Sequence, residues 1–117
     1  MSLKHTLITC SLATLVFTAS PGADEASGEV SLLDYDEEQS LLFMREEEKL
    51  ARDVYLTLFE QWDKPVFANI ADSEQTHTDA VADKIEKYGL LDPVVDDSIG
   101  AFVNSFLLEK FYELVAK

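Results

Sequence analysis

The chain has 117 residues, room for one domain at most, with 23 acidic against 9 basic residues and a formal net charge of −14. That balance excludes nucleic acid and an anionic membrane surface as partners, because both require a positive face, and it is compatible with cationic ligands. With a single cysteine, Cys10, the chain cannot form an internal disulfide.

Residues 1–22 read as a secretory signal peptide. Lys4 and His5 supply the basic start, Leu7 to Ala19 an apolar core, and Ala19, Ser20, Gly22 and Ala23 the small residues near a cleavage point. The apolar run is too short to span a bilayer comfortably. Cys10 lies inside it, so cleavage near Gly22 leaves a mature chain without cysteine, periplasmic or secreted and with no membrane anchor. Residues 23–35, rich in Ala, Gly, Ser and acid, read as a linker.

A first helix is expected from about Asp36 to Trp62. Leu41, Phe43, Met44, Leu50, Ala51, Val54, Tyr55, Leu58, Phe59 and Trp62 recur by threes and fours, and Asp36, Glu37 and Glu38 load the positive end of the helix dipole. Asp63-Lys64-Pro65 breaks it, and Pro65 suits the first turn of a second helix that runs to Tyr88 and stops at Gly89. The short break predicts an antiparallel hairpin. Leu90 to Asn104 reads as an irregular connection whose Asp92, Asp96 and Asp97 lack calcium-loop spacing and are expected to be solvated turn residues. Asn104 or Ser105 then caps a short third helix carrying Phe106, Leu107, Phe111, Leu114 and Val115. The fold is therefore expected to be all-α, a long hairpin with a short helix folded across it.

The second helix carries Glu74-Gln75-Thr76-His77 in the gap of its apolar stripe between Ile70 and Val81. An i, i+3 pair occupies one face, and two polar groups turned into a core cost several kcal/mol unless something satisfies them. A metal ion would do so. On the first helix, Glu46-Glu47-Glu48 cannot all point inward, because successive residues lie about 100° apart. Periodicity sends Glu46 to solvent, puts Glu47 near the centre of the apolar stripe, and puts Glu48 at the edge shared with Met44, Ala51 and Tyr55.

Here the sequence resembles the ferritin-like superfamily. Ferritins and rubrerythrins place a metal-binding Glu three residues before a small residue and seven before a Tyr, as in Glu48-x-x-Ala51-x-x-Val54-Tyr55, and follow it with a Glu-x-x-His like Glu74 to His77. The runs from Met44 to Tyr55, from Pro65 to Ala71 and from Ser73 to His77 are most similar to an uncharacterised family of ferritin-like domains of unknown function, and the resemblance covers about Leu41 to Lys117. It implies Glu48, Glu74 and His77 as metal ligands, with Glu47 the runner-up to Glu48, a dinuclear iron or manganese cofactor or else zinc, and Tyr55 packed close to the site.

Ferritin-like sites use two such helix pairs, whereas this chain has one, so residues 36–117 read as half of a four-helix bundle. The half-site is expected to be completed in a homodimer, because Phe43, Leu50, Val54 and Leu58 on one helix and Phe67, Ile70, Val81 and Ile85 on the other exceed what one hairpin can cover. Two functions from different classes are compatible with this reading. One is an exported metal-binding protein with ferroxidase or peroxide-linked di-iron oxidoreductase activity. The other is a non-catalytic helical interaction module, or a truncated, metal-free remnant.

Overall fold

A computed structural model describes residues 32–116, and the predicted signal peptide and most of the linker lie outside this range. Three helices make up the fold: α1, Tyr35–Trp62; α2, Pro65–Lys87; and α3, Ser105–Val115. No strand occurs among the described residues, and none of their helices is long and apolar enough to cross a membrane. The architecture is all-α, two long helices and a short one, as the hydrophobic periodicity predicts.

The helix ends follow from local chemistry. Asp34 caps α1: its side chain accepts from the Glu37 amide at 2.8 Å and the Glu37 carboxylate accepts from the Asp34 amide at 2.8 Å, a reciprocal box that satisfies two otherwise orphaned donors. This cap moves the start of α1 one residue ahead of the expected Asp36. At the other end Asp63 takes a left-handed conformation (φ 52°) and closes onto the Phe59 carbonyl. Pro65 opens α2, and Gly89 (φ 70°) follows its last turn. Asn104 caps α3, its side-chain oxygen accepting from the amides of Phe106 and Leu107.

Two apolar clusters hold the helices together. Near the open end of the hairpin, Leu41 and Met44 of α1 pack with Val81 and Ile85 of α2. Toward the hairpin turn, Leu50, Ala51, Val54, Tyr55 and Leu58 pack with Ala71 of α2 and with Leu107, Phe111 and Leu114 of α3. The expected uncovered stripe is therefore corrected. Leu50, Val54 and Leu58 are buried and Phe67 and Ile70 partly so in the cluster that α3 joins, and Val81 and Ile85 are buried against Leu41 and Met44 of α1; of the eight, only Phe43 is exposed.

The connection between α2 and α3 packs along α1. Gly100 makes its tightest bend, with φ at 88° and an added Cβ only 3.1 Å from Phe111 Cε2. A side chain there meets both a forbidden backbone region and a filled core. Gly100→Ala is expected to cost about 1–3 kcal/mol, read as a lowered urea midpoint with unchanged slope.

Candidate metal centre

The middle of α1 is buried on nearly every side. From Met44 to Tyr55 only Arg45 and Glu47 retain appreciable exposure. This surrounds with protein a stretch that carries Arg45, Glu46, Glu47, Glu48, Lys49, Arg52 and Asp53, so each polar group there needs a partner.

Glu48 turns toward α2 and is 1 % exposed; Glu74 faces it at 7 %. His77, one turn beyond Glu74, closes the group from the rim, its side chain 41 % exposed. Its Nδ1 lies 3.2 Å from Glu74 Oε2 and 3.6 Å from Glu48 Oε2, the second distance beyond hydrogen-bond range. One ligand atom from each of the three residues lies within 4.8 Å of the others. Ligands about 2.0–2.2 Å from a common ion sit no more than about 4.4 Å apart, so small side-chain adjustments would let all three reach one ion. The donor set, two carboxylates and an imidazole, suits Fe, Mn and Zn. Apolar clusters lie on both sides along the hairpin, Met44 with Val81 at one end and Ala51 with Ala71 at the other.

Glu47, favoured by periodicity alone, is half-buried, its carboxylate makes no hydrogen bond or ion pair among the described residues, and it does not join the trio. Burial pushes its carboxyl above the usual range. The physical reason is that the apolar stripe of α1 serves two partners. Its centre, with Leu50, Val54 and Leu58, packs in a cluster shared by α2 and α3, whereas, of the helices, the edge with Met44 meets α2 alone. Tyr55 is 3 % exposed, packs against Phe67 at 6.0 Å, and holds its proton more tightly than usual because of burial and the nearby charge of Glu74.

The solvated role expected for Glu46 is corrected. It is 3 % exposed, and its two carboxylate oxygens accept from the backbone amides of Val103 and Asn104. Asp92 and Asp97 do more than turn the chain: Asp97 is exposed and Asp92 accepts from the Val94 amide, but both also pair with arginines of α1. Arg45 Nε pairs with Asp92 at 3.0 Å and Arg52 Nη1 with Asp97 at 3.0 Å; Asp96 behaves as a solvated turn residue, accepting from Ser98. Beneath them Lys49 and Asp53 are wholly buried. Lys49 Nζ donates to Asp53 Oδ2 (2.6 Å), Ser98 O (2.8 Å) and Ala101 O (2.9 Å), and stands 4.3 Å from the Phe102 ring centroid. Asp53 also accepts from Arg52 Nε and from the Gly100 amide. Sequence reasoning missed this network. Its available signals were the i, i+4 spacing of Lys49 and Asp53 and two arginines two turns apart, facing two aspartates in the connection.

Residues 37–117 match the family described as "Uncharacterized protein domain (DUF2202)". The uncharacterized protein MJ0754 of Methanocaldococcus jannaschii is 56 % identical over 82 residues, covering 70 % of this chain and 44 % of that protein. The crystal structure of the hypothetical protein MJ0754 superimposes with a TM-score of 0.72 at 53 % identity, covering 73 % of this chain and 49 % of that one. The chain thus spans about half the length of the relative it matches.

Proposed function

The chain belongs to the DUF2202 family of uncharacterised domains, and from its buried trio we propose that it binds a divalent transition-metal ion through Glu48, Glu74 and His77. The observation that carries this reading is the convergence of two buried carboxylates on one imidazole nitrogen between two helices. Like charges confined where water is scarce are costly, and a cation offsets them. His77 at the rim gives the ion a route in, and the net charge of −14 draws cations toward the surface.

The resemblance to ferritins and rubrerythrins extends the proposal to a dinuclear iron or manganese centre in an exported protein. Such a centre would supply one-electron chemistry for the oxidation of ferrous iron by oxygen or peroxide. The protein's own part is to hold the carboxylates close together, to seal the site on both sides with apolar side chains, and to leave the imidazole edge open. A second copy related by a two-fold axis would supply Glu48, Glu74 and His77 again, giving six ligands for two ions. Exposed apolar side chains available to such a dimer include Phe43, Trp62 and Val66 on the long helices and Leu91, Val95 and Val103 on the connection.

Metal analysis and sedimentation of protein purified without chelator test the reading. Stoichiometric Fe, Mn or Zn, lost in both Glu74→Ala and His77→Ala, is the expected result, with the mass doubling on loading. A folded monomer that retains no metal and whose melting temperature ignores added Fe2+, Mn2+ and Zn2+ would sink it and leave a helical interaction module as the better account.

A further inference from the structure

The two arginines that flank the trio on α1 share one construction. Arg45 Nη1 donates to the hydroxyl of Thr78 at 2.5 Å and to its carbonyl at 3.2 Å, and the same hydroxyl donates back to the Arg45 carbonyl at 3.1 Å. Thr78 adjoins His77 and is fully buried. Two turns along, Arg52 Nη1 donates to Gln75 Oε1 at 2.9 Å, and Gln75 adjoins Glu74. Each guanidinium also reaches the connection, Arg45 through Nε to Asp92 and Arg52 through Nη1 to the carboxylate and Nη2 to the carbonyl of Asp97. Burial works against the Arg52 charge, but the bonds to Asp97 and Asp53 outweigh it and hold the proton more firmly than usual.

Adjacent helical residues point about 100° apart. A bond to Thr78 or Gln75 therefore leaves His77 and Glu74 facing Glu48 while fixing the axial slide and roll of α2 against α1. The apolar contacts on either side fix these weakly, since hydrophobic packing is non-directional, whereas a guanidinium fork is planar and directional.

We propose that Arg45 and Arg52 are positioning residues for the Glu48–Glu74–His77 site: a pair of clamps, braced on Asp92 and Asp97, that set the register of α2 on α1 so that the three side chains meet. The clamp is a statement about geometry in the metal-free chain; its effect on metal affinity rests on the reading of the site given above. Outer partners that orient ligands typically change affinity about 10- to 100-fold, and the same scale is expected here.

Thr78→Val, Thr78→Ser and Gln75→Ala, each in the full chain, separate positioning from mere support. Valine keeps the volume of threonine and loses the hydroxyl; serine keeps the hydroxyl and loses a methyl. Two readouts are taken: nuclear Overhauser contacts between the His77 ring and the Glu48 side chain without metal, and calorimetric affinity for Zn2+. Thr78→Val and Gln75→Ala are expected to weaken the contacts and lower affinity about 10- to 100-fold with helicity unchanged, whereas Thr78→Ser keeps both even if it melts earlier. Undiminished contacts in Thr78→Val and Gln75→Ala would overturn the proposal, as would a Thr78→Ser variant that behaves like Thr78→Val. If the unsubstituted chain binds no Zn2+, the metal reading fails by itself, and the metal-free contacts alone decide the clamp.

Discussion

Asp53→Ala is expected to remove much of the domain's stability, about 3–5 kcal/mol. Asp53 is fully buried, accepts from Lys49 Nζ at 2.6 Å, Arg52 Nε at 2.9 Å and the Gly100 amide at 3.0 Å, and stands 2.7 Å from Arg52 Nη2 as an ion pair. Truncation leaves the Lys49 ammonium in the interior with only the carbonyls of Ser98 and Ala101, and frees the bend at Gly100. Breaking a buried pair by removing one partner costs about 3–5 kcal/mol. Small domains have about 5–15 kcal/mol in total, and about 85 residues puts this one toward the low end. Each kcal/mol lowers Tm by about 4–8 °C at this size, so a fall of at least about 12 °C is expected. Replacing both partners by apolar residues, as in Lys49→Met with Asp53→Leu, should recover a large part of the loss, because the penalty comes from an unmatched charge. Hydrogen exchange locates the effect: the amides of Gly100, Val103 and Asn104 should lose protection before those of α1. An Asp53→Ala protein that melts within a few degrees of the parent would mean that the connection is not docked on α1.

The contrast between what periodicity reveals and what it hides falls along the same network. Both long helices, the break at Pro65, the stop at Gly89 and the Asn104 cap are local features, set by apolar spacing and by residues that act on their own backbone, and the sequence displays them openly. What escaped was the surroundings of α1. Glu46 looked solvated because its direction on the helix is away from the apolar stripe, yet its partners are two backbone amides of an irregular segment 57 and 58 residues away. Asp92 and Asp97 looked like turn residues because nothing local marks them as partners of Arg45 and Arg52. A charged residue in a helix is read as exposed until the element covering it is known, and here that element is a connection without periodicity. The choice between Glu47 and Glu48 turned on the same point. The centre of a hydrophobic stripe marks the average direction of burial, and α1 buries toward α2, α3 and the connection at once. Resemblance directed attention to Glu48 where periodicity did not.

In metal-free buffer Glu48→Gln is expected to raise Tm, and in the same protein metal affinity should fall to the background level. Glu48 and Glu74 are two buried carboxylates whose oxygens approach the same imidazole nitrogen. With no cation the two carboxylates repel across the same imidazole. Glutamine keeps the shape of Glu48, removes one of the two charges, and brings an amide that can donate to Glu74. Relieving strain of this kind at a functional site commonly yields about 0.5–2 kcal/mol, or several degrees at about 4–8 °C per kcal/mol. The opposite sign belongs to the rival account, in which a protonated His77 bridges both carboxylates as a structural salt bridge. Removing one carboxylate would then break a partly buried ion network and lower Tm. Saturating Zn2+ or Mn2+ completes the test, since a ligand that binds only the folded state stabilises it in proportion to the logarithm of its concentration over Kd. The parent should gain stability with rising metal and overtake Glu48→Gln, while the variant's melting curve stays fixed. A variant less stable than the parent without metal, and equally indifferent with it, would show the trio to be a salt bridge that helps hold α1 against α2, leaving the Arg45 and Arg52 clamps with a purely structural role.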